Sequence, residues 1–86
     1  MSNVEKAEEE IAIANKASSA YHGFIKDFIE LRRVYLFDAF QTLEVTDQDN
    51  LIEVKRMLYT LDALETDIRT IMDTGKMARE LLRNIE

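Results

Sequence analysis

His22, the single histidine of the chain, is the first candidate for chemistry. A histidine works as a metal ligand or a general base only when partner side chains are fixed beside it. The Glu-x-x-His spacing that builds a two-metal site inside a helical bundle does not occur in the sequence. His22 is therefore expected to be an exposed or partly packed side chain rather than a ligand.

The calcium-binding and phosphate-binding patterns of the chain are incomplete. Asp47, Asp49 and Glu53 follow part of the spacing of a calcium loop, but the glycine and the remaining ligands of that loop are absent. Gly75 and Lys76 lack the upstream glycine and the following Ser or Thr of a phosphate-binding loop. No Ser, Asp and His set suggests a nucleophile, and the chain has no cysteine. We therefore expect no catalytic residue, no metal site, no cofactor and no enzymatic activity.

Composition limits both the fold and the partners. The 86 residues suffice for one domain over 1–86, and they include two glycines and no proline. A strand-rich domain of this size needs many turn residues, so this composition predicts helix almost throughout. The net charge of −6 argues against direct nucleic-acid binding. No apolar run approaches the ~20 residues of a membrane span, and the N-terminus lacks a signal-peptide pattern, so we expect a cytoplasmic protein.

Two capping patterns divide the chain into two helices. Ser2 with Glu5 has the spacing of a capping box, and the same pattern begins again at Thr46. We therefore predict an all-α fold with a helix over about 3–44 and a second helix over about 47–85. The two helices form a long antiparallel hairpin, each arm extending about 60 Å at ~1.5 Å per residue.

The two glycines leave one feature of this hairpin open. Gly23 and Gly75 each lie inside a predicted helix, where glycine permits a kink or a break. A break at either position would let a short third segment fold back over the hairpin. The apolar repeat of the second helix runs through Gly75 without a change of phase, so we favour a continuous helix there.

The second helix carries the most regular pattern of the sequence. Two rows of uncharged residues recur every seven positions and lie three residues apart, as at the a and d positions of a coiled coil. The rows are Val54, Leu61, Ile68, Gly75 and Leu82, and Met57, Leu64, Ile71, Ala78 and Ile85. We expect this face to pack against the first helix.

In the first helix, the seven-residue repeat of Ala7, Ala14 and Tyr21 continues to Phe28 and Tyr35. The predicted hairpin core consists of Phe24, Phe28, Leu31 and Tyr35 together with Val54, Met57, Leu61, Leu64, Ile68, Ile71, Gly75 and Ala78. If the chain reverses near Val45, the small residues Ala14 and Ala17 lie opposite Ala78 and Gly75. The small residues would then permit close approach of the helices at that end.

A second apolar band lies beside this stripe. It consists of Ile25, Ile29, Leu36, Phe40 and Leu43 in the first helix, and Leu51 and Leu58 in the second. Left exposed, such a band promotes association, since burying each side chain is worth ~1.5–3 kcal/mol. We therefore expect these residues to form a protein interface, most simply in a homodimer that makes a four-helix bundle. A higher oligomer, a larger protein partner, or cover by a third segment are the alternatives.

Three segments carry a resemblance to a group of known proteins. Residues 36–40 form a Leu-Phe-x-x-Phe patch, residues 61–65 include Leu-x-x-Leu, and residues 71–78 end in Thr-Gly-Lys-x-Ala. This arrangement resembles small helical proteins encoded by tailed bacteriophages, over about half of the chain. The resemblance implies an assembly role in the host cytoplasm or in association with the virion, and it assigns no functional residue.

Two hypotheses for function follow. The first is a phage-encoded structural or assembly protein that acts through oligomerisation or by docking on a larger protein. The second is a small acidic inhibitor or regulator that binds a host protein. It would act either as an anti-defence factor or by blocking a basic nucleic-acid-binding site with its negative surface.

Overall fold

The computed structural model describes residues 2–85, which form a long antiparallel helical hairpin. The first arm consists of α1 (Asn3–Ala20), a π-helical turn (Tyr21–Ile25) and α2 (Lys26–Thr42). The second arm is a single helix, α3 (Gln48–Ile85). The hairpin extends 61 × 22 × 17 Å. The predicted all-α hairpin is therefore confirmed, and its length matches two helical arms of about 60 Å.

Local hydrogen bonds fix where the helices begin and end. The Ser2 hydroxyl accepts a bond of 3.1 Å from the Glu5 backbone N–H, which caps α1 as predicted. At the other end of the first arm, Leu43 leaves the helix with an extended backbone, at φ −71° and ψ 139°. The Asp47 carbonyl oxygen then accepts the first bond of the second arm, 3.1 Å from the Leu51 N–H. The cap of α3 therefore lies at Asp47, one residue beyond the predicted position at Thr46.

Neither glycine ends a helix. Gly75 lies within α3, which continues without interruption to Ile85. Gly23 lies in the π-helical turn, where the Lys26 N–H donates to the Tyr21 carbonyl oxygen five residues earlier. The first arm thus keeps its course while it takes in one extra residue. Within residues 2–85 no third segment folds back over the hairpin.

The π-helical turn changes which residues of the first arm face α3. Ala7, Ala14 and Tyr21 are buried at intervals of seven residues, but the next buried side chains are Ile29 and Leu36. The interval from Tyr21 to Ile29 is eight residues, because the π-helical turn accommodates one residue more than an α-turn. Ile29 is 0% exposed and Leu36 is 2% exposed.

This shift corrects the predicted core of the first arm. Phe24, Phe28, Leu31 and Tyr35 were expected to face α3 by continuing the seven-residue repeat. All four are exposed, because the π-helical turn rotates everything after it by about one residue, or ~100°. Their place is taken by the row that begins at Ile29.

The facing side of α3 agrees with one of its two apolar rows. Val54 and Gly75 are buried, and Leu61, Ile68 and Leu82 are half-buried. In the other row Ala78 is buried, but the structure corrects the expected positions of three larger members of the core. Met57, Leu64 and Ile71 are exposed on one side of the contact.

The row that takes their place lies on the other side of the contact. It consists of Leu51, Leu58, Glu65 and Met72, and all four are half-buried. Glu65 can lie there because two side chains of the first arm, Tyr21 and Arg33, hydrogen-bond its carboxylate.

The small residues pack together at the open end of the hairpin. A methyl group added at Gly75 would overlap the Ala14 side chain and would lie 3.6 Å from the Glu10 carbonyl oxygen. Ala14 therefore lies opposite Gly75 rather than opposite Ala78. The contact between small residues occurs about one helical turn away from the predicted register.

Candidate protein-interaction face

A row of large apolar side chains remains exposed along one side of the hairpin after the two arms have packed. We call this surface the apolar flank. It consists of Ile13, Phe24, Phe28 and Tyr35 on the first arm, and Met57, Leu64 and Ile71 on α3. Their exposed fractions range from 39% at Met57 to 65% at Phe24. Large apolar side chains grouped in this way on a small protein are typical of an interaction surface.

Helix geometry places both halves of the apolar flank on the same side. Phe28 comes one residue before the buried Ile29, so it points about 100° to one side of the contact. Leu64 follows Leu61 by three residues, which turns it about 60° in the same rotational sense. The arms are antiparallel, so this sense leads to the same side of the hairpin on both of them.

Two surface depressions agree with this geometry. One depression lies between the arms near the turn. It is lined by Arg32 and Leu36 from α2 and by Glu53, Arg56, Met57, Thr60 and Leu61 from α3. A second depression nearer the open end joins Ile13 of α1 to Ile71 of α3. The apolar flank is therefore one surface that crosses both arms.

Charged side chains occur at the turn end of the apolar flank, where the Arg32 guanidinium lies over the Tyr35 ring, 5.0 Å from its centroid. Charge is sparse in the middle of the apolar flank. On the first arm, the positions between Glu10 and Arg32 that point to this side are Ile13, Ala17, Ala20, Phe24 and Phe28. On α3, Asp67 comes one residue before Ile68 and so points to this side, between Thr60 and Thr74. The middle of the apolar flank thus carries one carboxylate among uncharged side chains.

On the opposite side of the hairpin Phe37 is exposed, and charged side chains join the two arms. The buried Tyr21 donates its hydroxyl to the Glu65 carboxylate at 3.0 Å. Arg33 donates to Asp62 at 2.6 Å and to Glu65 at 3.4 Å. Arg69 donates to the Tyr21 hydroxyl at 3.4 Å. We call this side the polar flank. Its charged side chains bond to each other across the arms, so they stabilise the hairpin.

The same bonds raise the pKa of two arginine side chains. The hydrogen bond to Asp62, aided by the charge of Glu65, raises the pKa of Arg33. The hydrogen bond to Tyr21 and the electrostatic interaction with the same side chain, aided by the charge of Glu65, raise the pKa of Arg69. Both guanidinium groups therefore stay charged at any pH at which the protein folds.

The structure separates the predicted interface residues into three environments. Ile29 and Leu36 are buried against α3, so the structure corrects their expected role, because α3 itself covers them. Ile25, Leu43, Leu51 and Leu58 are half-buried at the edges of the same contact. Phe40 is exposed near the turn, at 45%. The exposed apolar surface is thus made mostly of residues that the sequence pattern assigned to the core.

One signal in the sequence could have shown the exchange of rows. The first arm contains two apolar rows one residue apart, Phe28 with Tyr35 and Ile29 with Leu36, each with a seven-residue interval. The second row continues to Leu43, at the entry to the turn, whereas the first would reach Thr42. Ile13 was not assigned because its alignment with Ile71 follows only from the antiparallel packing.

Two further properties bear on what this surface can bind. Among residues 2–85, no three His, Asp or Glu side chains are grouped so that they could hold a metal ion. Over the same residues, no helix combines the length and the apolar character that crossing a bilayer requires.

Comparison of the chain with known proteins adds no relative. No family model, no curated protein and no solved structure matches this sequence or its fold.

Proposed function

We propose that this chain is a non-enzymatic assembly protein that binds another protein chain through its apolar flank. The observation that carries the proposal is the exposure of seven large apolar side chains on one side of a hairpin whose other side is closed by polar bonds. A hairpin that needed only to fold would gain nothing from keeping Phe24, Phe28 and Tyr35 in water.

The apolar flank can contribute a large part of the free energy of binding. Covering the exposed half of one such side chain contributes roughly 1 kcal/mol. All seven together contribute several kcal/mol, to which aromatic contacts of Phe24, Phe28 and Tyr35 add. A micromolar complex corresponds to about 8 kcal/mol, so the apolar flank supplies much of what such a complex needs.

The hairpin also presents this surface in a fixed shape. The contact between Ala14 and Gly75 holds the arms close at the open end, and the Tyr21, Glu65 and Arg33 bonds join them near the middle. A rigid surface loses little entropy on binding, which favours an assembly role. The resemblance to small helical phage proteins is consistent with this role, and we propose that the protein acts in phage assembly in the host cytoplasm.

Photo-crosslinking in the cells that make the protein tests this proposal. A photoreactive phenylalanine analogue replaces Phe28 on the apolar flank, and in a matched variant it replaces Phe37. Phe37 has a similar exposed fraction, 52% against 56%, but follows the buried Leu36 and points to the polar flank. We expect covalent adducts with protein from position 28 and few from position 37.

The adduct mass also identifies the kind of partner. An adduct of twice the 10.0 kDa chain mass is a second copy, and any other mass is a different protein. Equal yields from positions 28 and 37, or no protein adduct from position 28, would contradict a binding role for the apolar flank.

The acidic inhibitor hypothesis has support from a different part of the molecule. Glu5, Glu8 and Glu9 are all exposed at the start of α1, where they give the open end of the hairpin a negative surface. An inhibitor that used this surface would bind a basic target with an affinity that falls steeply as salt concentration rises. Binding through the apolar flank would change little with salt, so a salt series on any identified complex separates the two functions.

A further inference from the structure

We infer that the partner of the apolar flank is a second copy of this chain, packed face to face so that the two turns lie at opposite ends of a four-helix bundle. This inference rests on the proposed function and adds the identity and orientation of the partner. Three features of the hairpin carry it: the area of the apolar flank, the distribution of large and small side chains along it, and the surroundings of Asp67.

The area of the apolar flank approaches that of a standard dimer interface. On the first arm it extends from Ile13 to Tyr35, 22 residues apart, or about 33 Å of helix. On α3 it extends from Met57 to Ile71, 14 residues apart, or about 21 Å. With ~10 Å of width for each helix, the two stretches give roughly 540 Å² before side-chain relief is counted. Each partner of a standard stable interface contributes about 800 Å².

The centre of the apolar flank is apolar on both arms. Phe24 lies midway between Ile13 and Tyr35, and Leu64 lies midway between Met57 and Ile71. Because Ala14 lies beside Gly75 and the arms are antiparallel, Phe24 and Leu64 are also nearly level with each other. A two-fold axis across the hairpin at this level brings Phe24 onto its own copy and Leu64 onto its own copy.

Two aromatic side chains of the first arm then each meet a smaller side chain. Phe28 and Ala20 are each four residues from Phe24, so the axis places Phe28 of one copy over Ala20 of the other. Tyr35 and Ile13 are related in the same way, each eleven residues from Phe24. The aromatic half of the first arm therefore covers the smaller side chains of its partner on either side of the Phe24 pair.

Asp67 supports the same orientation. It lies three residues from Leu64 on one side of the axis, and Thr60 lies four residues away on the other side. The dimer therefore sets each Asp67 carboxylate beside Thr60 of the other copy, a polar residue whose hydroxyl donates to the Arg56 carbonyl oxygen of its own helix. The two Asp67 carboxylates are six residues apart along the helices, or about 9 Å, so their repulsion is weakened.

The opposite orientation, with both turns at one end, lacks these matches. There the first arm of one copy covers α3 of the other at the same level. Phe28 and Tyr35 then lie over Leu64 and Met57, which would force the hairpins apart near the turns. Asp67 then lies between Ala20 and Phe24 of the partner, which are both apolar.

Single cysteines distinguish the two orientations, since the natural chain has none. Leu64→Cys places a thiol at the proposed axis, and Val45→Cys places one in the turn, where the side chain is 85% exposed. Each variant is oxidised at a concentration at which sedimentation shows the wild-type chain to be dimeric. We expect rapid disulfide-linked dimer from Leu64→Cys and almost none from Val45→Cys, whose turns lie at opposite ends of a bundle about 60 Å long.

The outcomes separate this inference from the proposed function. Rapid linkage through Val45→Cys with none through Leu64→Cys would overturn the orientation. A wild-type chain that stays monomeric up to high micromolar concentration would overturn the choice of partner. In that case, adducts of position 28 with a different protein would still support the proposed function, and their absence would contradict both.

Discussion

At the scale of single residues, two contacts decide how the arms meet. Gly75 allows α3 to approach Ala14 so closely that any side chain at position 75 would overlap it. Tyr21 is buried near the middle of the hairpin and directs its hydroxyl to Glu65, which lets a carboxylate lie at the edge of the contact. One contact works through the absence of a side chain and the other through a satisfied polar group, and each predicts the effect of a substitution.

Gly75→Ala should lower the free energy of unfolding by ~1–3 kcal/mol, because the added methyl group forces the arms apart. This loss exceeds the ~1 kcal/mol that alanine gains over glycine in a helix. Urea denaturation followed by circular dichroism measures it. The double variant Ala14→Gly with Gly75→Ala should recover much of the loss, since the methyl group then has space.

Gly23→Ala serves as the matched control for position 75. Nothing lies within 4 Å of a methyl group added at Gly23, so alanine should raise stability by up to ~1 kcal/mol. If both glycine variants were stabilised equally, the close approach of Ala14 to Gly75 would be wrong.

Tyr21→Phe should cost about 1 kcal/mol, the typical net value of a buried hydrogen bond, because Glu65 loses the hydroxyl that donates to it. The loss stays small since Arg33 still donates to the same carboxylate. Tyr59→Phe is the control, because Tyr59 is exposed and its hydroxyl should contribute little to the free energy of unfolding. Thermal unfolding of the two variants against the wild type makes the comparison.

At the scale of the helices, the sequence was sufficient for the hairpin but not for the rotation of its first arm. Two antiparallel helices were predicted from the capping patterns at Ser2 and Thr46 and from the row of Val54, Leu61, Ile68 and Gly75. Those features are local or strictly periodic. The π-helical turn could not be seen in the same way. It is defined by a hydrogen bond between Lys26 and Tyr21, and two apolar rows one residue apart fit the repeat equally well on either side of it.

The position of the candidate site could not be predicted for the same reason. Rotation of α2 by one residue places Phe28 and Tyr35 outside the contact, so the residues expected inside became the exposed surface. The sequence pattern on α3 places Glu65 outside the contact because it is charged. Glu65 lies at the contact because Tyr21 and Arg33 donate hydrogen bonds to its carboxylate, and these bonds depend on the tertiary fold. Periodicity therefore predicted how much apolar surface the chain has, but not which part of it is exposed.

Deletion of Gly23 tests the role of the π-helical turn. Removing one residue there restores a seven-residue interval between Tyr21 and Ile29, so the turn should become ordinary α-helix with Ile29 and Leu36 still buried. We expect helical content and the free energy of unfolding to be equal to or higher than those of the wild type, measured by circular dichroism in urea.

Deletion of Val34 is the control, since Val34 is exposed and follows the π-helical turn. It rotates Leu36 by about 100° out of the contact and should destabilise the hairpin by several kcal/mol. If the two deletions destabilised equally, the π-helical turn would be a structural requirement rather than a means of taking in an extra residue.

At the scale of the whole molecule, the hairpin has two unlike sides. The polar flank is closed by bonds between the arms, and the apolar flank is about 33 Å long on the first arm, with most of its charged side chains at the turn end. We propose that such a rod associates through the apolar flank while the charged side chains of the polar flank stay in water. Substitutions on the two sides should therefore differ in their effect on association even when their chemistry is the same.

Phe28→Glu should abolish self-association, because it would bury a carboxylate opposite Ala20 of the second copy. Sedimentation velocity over a range of micromolar concentrations should show a dimer for the wild type and a folded monomer for the variant. Phe37→Glu makes the same chemical change on the polar flank and should leave the dimer intact. Loss of the dimer in both variants, or in neither, would count against the apolar flank as the contact surface.

The first arm carries two rows of apolar side chains, and the position of its π-helical turn determines which row packs against α3. If the π-helical turn moved along the arm toward Leu43, Phe28 and Tyr35 would rotate into the contact while Ile29 and Leu36 became exposed to water. Both ends of the arm could stay fixed during this exchange, since the total number of residues per length does not change. The set of apolar side chains exposed on the apolar flank thereby depends on the position of one backbone hydrogen bond, from Lys26 to Tyr21.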